Sequence, residues 1–266
     1  MRQSIALPPL IAPLLALARA AGDAILSIYN APERAAVTSK ADSSPLTEAD
    51  LAAHHLIVDG LRALTPDVPV VSEEGEHEDV ARDGLFWLVD PLDGTKEFVD
   101  RNGDFTVNIA LIDSGAPRLG VVHVPAHGCT YWGGAGLGAF RARGGEPVAL
   151  RVAAPPSPGA VIRVVASKSH LNAETERFIA RFEPRELVQA GSSLKFCRVA
   201  EGAADVYPRL APTCEWDTAA AQAVLEGAGG HVVTLAGKPL RCGKADILNP
   251  HFVAVSSLAL LQPVPG

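Results

Sequence analysis

The sequence has few of the features that mark disulfide-rich, nucleic-acid-binding or repetitive proteins. Its 266 residues include four cysteines and no Cys-x-x-Cys pair, which argues against a disulfide scaffold or a zinc ribbon. Aromatic residues make up 5%, and 30 acidic residues outnumber 23 basic ones to give a net charge of −7. Because binders of nucleic acid or anionic membranes need basic surfaces, both classes are disfavoured. Glycine and proline show no repeat period, which excludes collagen-like and solenoid folds.

The first apolar run is also too short to span a bilayer. Ile5–Ala18 holds 14 uncharged residues, against about 20 for a membrane helix. Arg2 in front of it and Ala18-Arg19-Ala20 behind it imitate a secretory signal peptide. Three prolines interrupt the run, however, and its helical spacing continues to Ile25. We therefore interpret it as an amphipathic first helix and expect a cytoplasmic protein without an integral membrane segment. A peripheral association with the inner membrane stays open.

Hydrophobic residues make up 48% of the chain, which is enough for an extensive core. The continuous apolar run Leu85–Val89 predicts a buried strand, and the alanine-rich segment Thr218–Ala228 predicts a helix ended by glycines. The segment 31–45 is predicted to be a loop. Strand and helix patterns alternate in both halves, which predicts an α/β (α+β) fold.

The segment Ala153–Gly159 is the best linker candidate, so we expect an N-terminal α+β subdomain over 1–152 and a C-terminal α/β subdomain over 160–266. Residues 1–150 contain 11 basic and 20 acidic residues, whereas residues 151–266 contain 12 and 10. The acidic first part and the slightly basic second part suggest different chemical duties for the two halves.

The most informative stretch is Asp90-Pro91-Leu92-Asp93-Gly94-Thr95. A buried strand delivers Asp90 at its carboxyl end, where sites on α/β sheets lie, and Pro91 is expected to stop the strand ladder. Two carboxylates next to a glycine turn are what a Mg²⁺–phosphate site requires, because Mg²⁺ prefers oxygen ligands. The alternative interpretation is an ordinary Asp-Gly turn with an Asx cap.

Three further acidic features point the same way, and each has a structural alternative. Ser72-Glu73-Glu74 ends an apolar strand, but an acidic loop, 73–83, would also be typical of a solvated surface. Asp217 precedes the alanine-rich helix and could simply be its N-cap. The run Thr47-Glu48-Ala49-Asp50 could be a cap and an exposed helix face. Carboxylates that converged on one pocket would repel each other, so convergence would imply divalent metal.

Taken together, Ser72-Glu73-Glu74, the 90–95 stretch and Trp216-Asp217-Thr218-Ala219 resemble the metal-site motifs of the inositol monophosphatase-like superfamily. Their order and spacing agree over nearly the whole chain. The resemblance implies a layered αβαβα sandwich and Mg²⁺-dependent, often lithium-sensitive, hydrolysis of small phosphomonoesters.

Within that superfamily the chain is similar to the 3'(2'),5'-bisphosphate nucleotidases of the CysQ type. The segments that carry this similarity are Lys96-Glu97-Phe98, Ser167-Lys168-Ser169-His170, Gly191–Phe196, Ala204–Arg209 and Leu248-Asn249-Pro250. The implied reaction releases the 3'-phosphate of adenosine 3',5'-bisphosphate to give AMP and phosphate, or releases the same phosphate from its sulfated precursor, in sulfate assimilation (EC 3.1.3.7).

The resemblance also implies roles for individual residues. One Mg²⁺ is expected on Glu73, Asp90 and the Leu92 carbonyl, and a second on Asp90, Asp93 and Asp217. A third ion and Mn²⁺ stay open. The remaining roles concern water and phosphate: Asp50 and Glu73 place the water network, Thr95 is bonded to Asp50 and orients the attacking water, and the Gly94 and Thr95 amides hold the phosphate.

Substrate recognition is expected to involve the basic second half, at His170, Ser192, Lys195 and Arg209, besides Glu73, Leu92, Asp93, Gly94, Thr95 and Asp217. In isolation, Lys195 and Arg209 could be solvated charges and His170 a structural histidine. The partner is a small phosphorylated nucleotide rather than nucleic acid, and the protein is a monomer or a homodimer.

Two alternatives remain. An inositol or sugar phosphatase would share the metal residues, and a non-catalytic nucleotide- or metal-binding protein would lack one of them. The glycine-rich run 133–138 follows Tyr131-Trp132 in a predicted hairpin and indicates a turn rather than a dinucleotide-binding loop.

Overall fold

The computed structural model describes residues 5–31, 37–39, 45–75, 82–167 and 172–261. Predicted residue His170 and most of the acidic loop, 76–81, lie outside the described residues. The helices are α1 Pro8–Tyr29, α2 Glu48–Leu64, α3 Thr95–Val99, α4 Ala173–Ile179, α5 Leu194–Ala200 and α6 Ala219–Gly227. The strands are β1 Val37–Ser39, β2 Pro45–Thr47, β3 Val70–Ser72, β4 Leu85–Asp93, β5 Thr106–Asp113, β6 Ala116–Val124, β7 Cys129–Gly134, β8 Gly138–Ala142, β9 Val148–Ala149, β10 Ile162–Ser167, β11 Arg185–Ala190, β12 Val206–Arg209, β13 His231–Thr234 and β14 Phe252–Val255.

The first large sheet has seven strands in the order β3-β4-β5-β6-β7-β8-β9. β3 and β4 are parallel, and the other neighbours are antiparallel. Alternate residues of β4 belong to two hydrophobic cores. Trp87 and Val89 pack with α1 and α2, whereas Phe86 and Leu88 belong to the core that contains α5 and α6. Because both faces of the sheet are covered, its central strands are apolar almost without interruption.

The second large sheet has five strands in the order β11-β10-β12-β14-β13. Helices α5 and α6 fill the space between the two sheets and share one hydrophobic core with both. The first sheet and α6 approach so closely that a Cβ on Gly120 would lie 2.1 Å from the Ala220 carbonyl oxygen. Helix α4 covers the outer face of the second sheet. The layers therefore run αβαβα, and the predicted α/β sandwich is confirmed.

The two-subdomain division stays a proposal. The segment 153–159 does separate the strands of one sheet from those of the other, which supports the division. The core that α5 and α6 share with both sheets, however, joins the two parts into one packed unit.

The predicted first helix is confirmed as α1, with Pro8 and Pro9 in its first turn and Pro13 inside it. By length and composition α1 is also long and apolar enough to cross a membrane. Leu14 and Ile25 on its buried face are fully inaccessible and belong to the core formed with α2 and the first sheet. In this fold one face of α1 is therefore part of the core.

Two local predictions are wrong. The segment 31–45 was expected to be a loop, but it contains β1 and the start of β2, which pair with each other antiparallel. Strands of three residues are too short to show the alternation that identifies a strand. The ladder was expected to stop at Pro91, but β4 resumes pairing at Asp93 after a bulge. A bulge leaves residues unpaired, so the missing proline N–H costs no ladder hydrogen bond there.

Candidate active site

The end of β4 brings two aspartates to one edge of the first sheet. Asp90 is 1% exposed and pairs in register with Asn108 on β5, and its Oδ1 accepts a hydrogen bond from the Leu92 amide at 3.1 Å. The bulge after Asp90 turns the chain, and Gly94 then adopts a φ of +91°. A Cβ on Gly94 would lie 2.0 Å from Ser192 Oγ. The glycine therefore permits both the left-handed turn and the contact with the second half of the chain.

Asp93 connects the two halves of the molecule. Its Oδ2 accepts a hydrogen bond from the Ser193 amide, just before α5, at 2.6 Å. The same oxygen lies 3.5 Å from both Thr106 Oγ1 and Asn108 Nδ2 on β5. Ser193 Oγ in turn donates to Asn108 Oδ1 at 2.8 Å. This network fixes the Asp93 carboxylate between β5 and the beginning of α5.

Asp217 is not the N-cap of the alanine-rich helix, so that alternative is wrong. Helix α6 begins at Ala219, its N-cap residue is Thr218, and no side chain caps it. Asp217 Oδ2 instead accepts a hydrogen bond from the Cys214 amide at 2.8 Å, which fixes the carboxylate in a turn beside Asp93. Both aspartates line one cavity of about 300 Å³.

A buried glutamate lies two residues before Asp217 in the same turn. Glu215 is fully inaccessible, and its carboxylate accepts hydrogen bonds from the Gly243 and Lys244 amides at 2.7 and 3.0 Å. Lys244 Nζ also contacts the same carboxylate. The charge of Glu215 is thus satisfied within the fold, and we assign it a structural role.

Asp50 lies in the first turn of α2, where it forms a capping box with Thr47, and not on an exposed face. Its Oδ2 accepts hydrogen bonds from the Thr47 amide at 2.8 Å and from the Thr47 hydroxyl at 2.6 Å. Its other oxygen lies 3.4 Å from Thr95 Oγ1, as the resemblance implied. Asp50 is 1% exposed, so the cap has been placed in the interior next to the Asp93-Gly94-Thr95 turn.

The carboxylates interact strongly with each other. Burial raises the pKa of Asp90 well above its ordinary value, and the negative charges of Glu73, Asp93 and Asp217 and a hydrogen bond with Glu73 raise it further. Burial likewise raises the pKa of Asp93 to about 6, although Lys195 and the Ser193 amide oppose the shift. The pKa of Asp217 rises to about 8 through burial and then the charge of Asp93. Such a cluster takes up either protons or cations.

These residues fit a divalent cation by the chemistry of their donors. They offer hard oxygen ligands and excess negative charge, which suit Mg²⁺ or Mn²⁺. Across the described ranges, no three carboxylate, imidazole or thiol side chains are grouped closely enough to hold an ion by themselves. Any divalent cation bound here would therefore need additional oxygen ligands, as is usual for Mg²⁺.

The same cavity has a basic wall from the second half of the chain. Lys195 on α5 is 5% exposed, and its Nζ lies 5.6 Å from the centre of the Tyr207 ring. Burial lowers its pKa to about 8, against the opposing influence of Asp93. Arg209 at the end of β12 donates from Nη2 to the Pro212 carbonyl at 3.0 Å, while its buried Nε lacks a hydrogen-bond partner among the described residues.

The structure brings together most of the residues predicted from the sequence. Those that line the cavity are Asp93, Gly94, Thr95, Ser192, Lys195, Arg209 and Asp217. Glu73, Asp90, Leu92 and Asp50 are not among its lining residues. Asp50 lies next to the Thr95 hydroxyl, and Asp90 accepts a hydrogen bond from the Leu92 amide. Ser192 has a φ of +46°, and its hydroxyl lies within hydrogen-bond distance of the Asp93 and Asp104 carbonyls. These contacts indicate that Ser192 stabilises the Asp93-Gly94-Thr95 turn.

Sequence reasoning missed the polar residues that join β5 to α5. Thr106 and Asn108 are inaccessible on β5, and Ser193 is 2% exposed. Asp104 accepts a hydrogen bond from the Gly191 amide at 3.1 Å. One available signal was that Thr106 and Asn108 interrupt a strand that is otherwise apolar to Ile112. A buried polar side chain in such a strand requires a partner, and the site supplies it.

Comparisons with known proteins agree with this geometry. The model of the inositol monophosphatase family matches residues 7–262. The chain is 50% identical over 241 residues to the 3'(2'),5'-bisphosphate nucleotidase CysQ of Escherichia coli K12, which covers 89% of this chain and 95% of that protein. Among solved structures, CysQ from Bacteroides thetaiotaomicron superimposes with a TM-score of 0.78 at 44% identity, covering 90% and 94% of the two chains. A Thermotoga maritima IMPase gives 0.74 at 29% identity, covering 92% and 91%. The chain therefore belongs to the inositol monophosphatase family.

Proposed function

We propose that this chain is a 3'(2'),5'-bisphosphate nucleotidase that releases the 3'-phosphate of adenosine 3',5'-bisphosphate, giving AMP and phosphate. The observation that carries the proposal is the single cavity where Asp93 and Asp217 stand opposite Lys195 and Arg209. One wall suits a metal-bound phosphate, and the other suits a second anionic group. Curated relatives at about 50% identity carry the name of this activity.

The metal ligands in this proposal are Glu73, Asp90 and the Leu92 carbonyl for one ion, and Asp90, Asp93 and Asp217 for a second. The family is metal-dependent, typically with Mg²⁺, and a third ion is also proposed. Bound Mg²⁺ supplies Lewis-acid stabilisation of the phosphoryl charge and lowers the pKa of water. The raised pKa values of the three aspartates support the assignment, because a cation would relieve the repulsion that causes part of them.

Thr95 and Asp50 are proposed to orient the attacking water. Thr95 Oγ1 faces Asp50 at 3.4 Å and can donate its proton there, which leaves hydroxyl lone pairs for a water molecule. Asp50 is held in place by both polar groups of Thr47. A fixed acceptor that aligns the water with the phosphorus atom supplies the orientation that an in-line displacement needs.

Lys195 and Arg209 are proposed to bind the second phosphate, with His170 as a further contact. The buried Arg209 Nε has a hydrogen to donate and no partner among the described residues, which supports an anion beside it. Arg presents a planar fork suited to phosphate oxygens, and Lys195 adds a buried positive charge. Inositol monophosphates lack this second phosphate, so the basic wall favours the bisphosphate.

We propose that the enzyme acts in the cytoplasm, as a monomer or a homodimer, on free nucleotides produced during sulfate assimilation. The burial of one face of α1 in the core supports a location away from the bilayer interior.

Phosphate release from a small panel of substrates tests the proposal. We expect Mg²⁺-dependent turnover of adenosine 3',5'-bisphosphate at least about tenfold faster, in kcat/KM, than turnover of inositol 1-phosphate, and inhibition by Li⁺. The margin corresponds to about 1.4 kcal/mol, less than one good charge-assisted hydrogen bond. A preference for inositol 1-phosphate would assign the chain to the phosphatase alternative. No turnover of any phosphomonoester would favour a binding protein.

A further inference from the structure

A histidine outside the cavity links the two elements that carry Asp50 and Glu73. Asp50 and His54 lie four residues apart on α2, so their side chains share one face of the helix. Asp50 occupies the capping box at the start of the helix. His54, one turn later, is part-buried, and its Nδ1 lies 2.8 Å from Ser72 Oγ. Helix α2 therefore reaches both the Thr95 turn and the end of β3.

Ser72 is the residue through which this contact reaches the site. It is 3% exposed, ends β3 and directly precedes Glu73. Its carbonyl accepts a hydrogen bond from the Gly75 amide at 3.0 Å, and the Glu73 amide donates to the Val89 carbonyl at 3.1 Å. The turn that presents Glu73 is thus joined to Ser72 and to β4.

The His54 ring also packs against the far side of that turn. A Cβ on Gly75 would lie 3.3 Å from His54 Cε1 and 3.5 Å from the Ser72 carbonyl oxygen. The imidazole therefore contacts Ser72 Oγ and leaves little room for a side chain at Gly75.

The position of β3 explains why such support matters. β3 has three residues and lies at the edge of the seven-stranded sheet, with β4 as its one neighbour among the described strands. Glu73 lies next to the buried carboxyl group of Asp90; the two share a hydrogen bond, and they repel each other when both are charged. An edge strand with few ladder bonds resists such repulsion weakly, so a contact from α2 keeps the turn in place.

We propose that His54 is a positioning residue that holds the Glu73 turn through Ser72 and thereby sets the affinity of the site for its divalent cation. His54 does not line the cavity and does not act on the substrate. The inference rests on the proposed function, in which Glu73 is a metal ligand.

The test compares His54→Leu, His54→Asn and Ser72→Ala with the wild-type chain. Leucine keeps the bulk of histidine without a polar atom, whereas the asparagine amide lies as many bonds from Cα as Nδ1 does. Mg²⁺ affinity is measured by isothermal titration calorimetry without substrate, and kcat is measured at saturating Mg²⁺. His55→Leu is the matched control, because it removes an exposed imidazole that stacks edge-on against His54 at 5.2 Å.

We expect His54→Leu and Ser72→Ala each to weaken Mg²⁺ binding by about 10- to 100-fold, as is typical for residues that orient metal ligands. The kcat at saturating Mg²⁺ should stay within about twofold, because high metal concentration restores the occupied site. His54→Asn should recover most of the affinity, and His55→Leu should keep all of it. The double variant His54→Leu/Ser72→Ala should bind Mg²⁺ no more weakly than either single variant, because both substitutions remove the same contact.

Wild-type Mg²⁺ affinity in His54→Leu would overturn the inference, and so would a lowered kcat with unchanged affinity. Loss of affinity that asparagine does not restore would also overturn it, since that result indicates general damage to α2. A wild-type chain that binds no Mg²⁺ would instead contradict the proposed function. Far-UV circular dichroism confirms that each variant is folded, and Ser72→Ala tests the contact from its other side.

Discussion

The two walls of the cavity differ in how completely the fold satisfies them. On the acidic wall, Asp93 accepts a strong hydrogen bond from Ser193 and Asp217 accepts one from Cys214. Burial, and then repulsion from neighbouring carboxylates, still raises the pKa of both. On the basic wall, Lys195 is buried, and the charges of Asp93, Glu97 and Asp104 only partly offset the effect of burial on its pKa. Arg209 Nε lacks a partner among the described residues. The proposed cation therefore suits the acidic wall, and the proposed second phosphate suits Arg209 on the basic wall.

The largest expected effect comes from the acidic wall. Asp93→Asn keeps the acceptor for the Ser193 amide but removes the charge, so we expect kcat/KM to fall by at least about 10³-fold. The fold should survive, because one source of repulsion is gone. Phosphate release and thermal unfolding with and without Mg²⁺ measure the two effects. An active variant would show that the acidic wall does not bind the catalytic ion.

The basic wall should show a smaller and selective effect. Arg209→Ala is expected to lower kcat/KM for adenosine 3',5'-bisphosphate by about 10- to 100-fold, the range of a charge-assisted hydrogen bond, and to leave inositol 1-phosphate nearly unchanged. Arg151→Ala, at an exposed position, serves as the control. Equal losses on both substrates would mean that Arg209 supports the site generally and does not select the nucleotide.

The pH dependence of stability distinguishes the walls without substrate. In EDTA we expect the Tm to fall by about 2–4 °C per pH unit between pH 6.5 and 8. In this window the folded chain retains chiefly the proton of Asp217, with a pKa of about 8, which the unfolded chain has released; Asp93, with a pKa of about 6, loses most of its proton below the window. Stability is therefore highest at the lower pH and is lost as pH rises through these values.

Saturating Mg²⁺ should flatten this slope, because the cation replaces the protons, and Asp217→Asn should reduce it. Lys195 acts in the opposite sense. Its pKa is lowered to about 8 in the folded chain, so above that pH the folded chain has released a proton that the unfolded chain still binds, and stability rises with pH. Differential scanning calorimetry over the pH series gives the measurement. A Tm in EDTA that rises from pH 6.5 to pH 8 would contradict the raised pKa values of the buried aspartates.

The smallest expected effect concerns Ser192, which contacts the Asp93 turn from the second half of the chain. Ser192→Ala should lower the free energy of unfolding by about 1–2 kcal/mol, because it removes the hydroxyl that contacts the Asp93 and Asp104 carbonyls. Ser192→Gly loses the same contacts but relieves a left-handed backbone, so it should be less destabilising by about 1 kcal/mol. Urea unfolding measures both. Identical values for the two variants would show that the φ of +46° is not strained.

Much of the fold was predictable because its signals are local. The apolar run Leu85–Val89 predicted β4, and the alanine-rich segment predicted α6 to within one residue at each end. The strands β1 and β2 could not be predicted, because three residues show no periodicity. The continuation of β4 past Pro91 was missed for another reason: a bulge depends on the partner strand, here β5, and not on the proline itself.

The sequence by itself determined the chemistry available to this protein: the carboxylates, their motifs and spacing, and the basic residues that follow in the second half. Whether Asp217 was a helix cap or faced Asp93, and whether Asp50 lay on a surface or beside Thr95, depended on the tertiary structure. The reason is physical. A capping residue and a ligand use the same oxygen atoms, and a hydrogen bond or a repulsion is decided by distances of a few ångströms between residues far apart in the chain. Burial, which raised the pKa values of the aspartates, is likewise a property of the packed layers and not of any single segment.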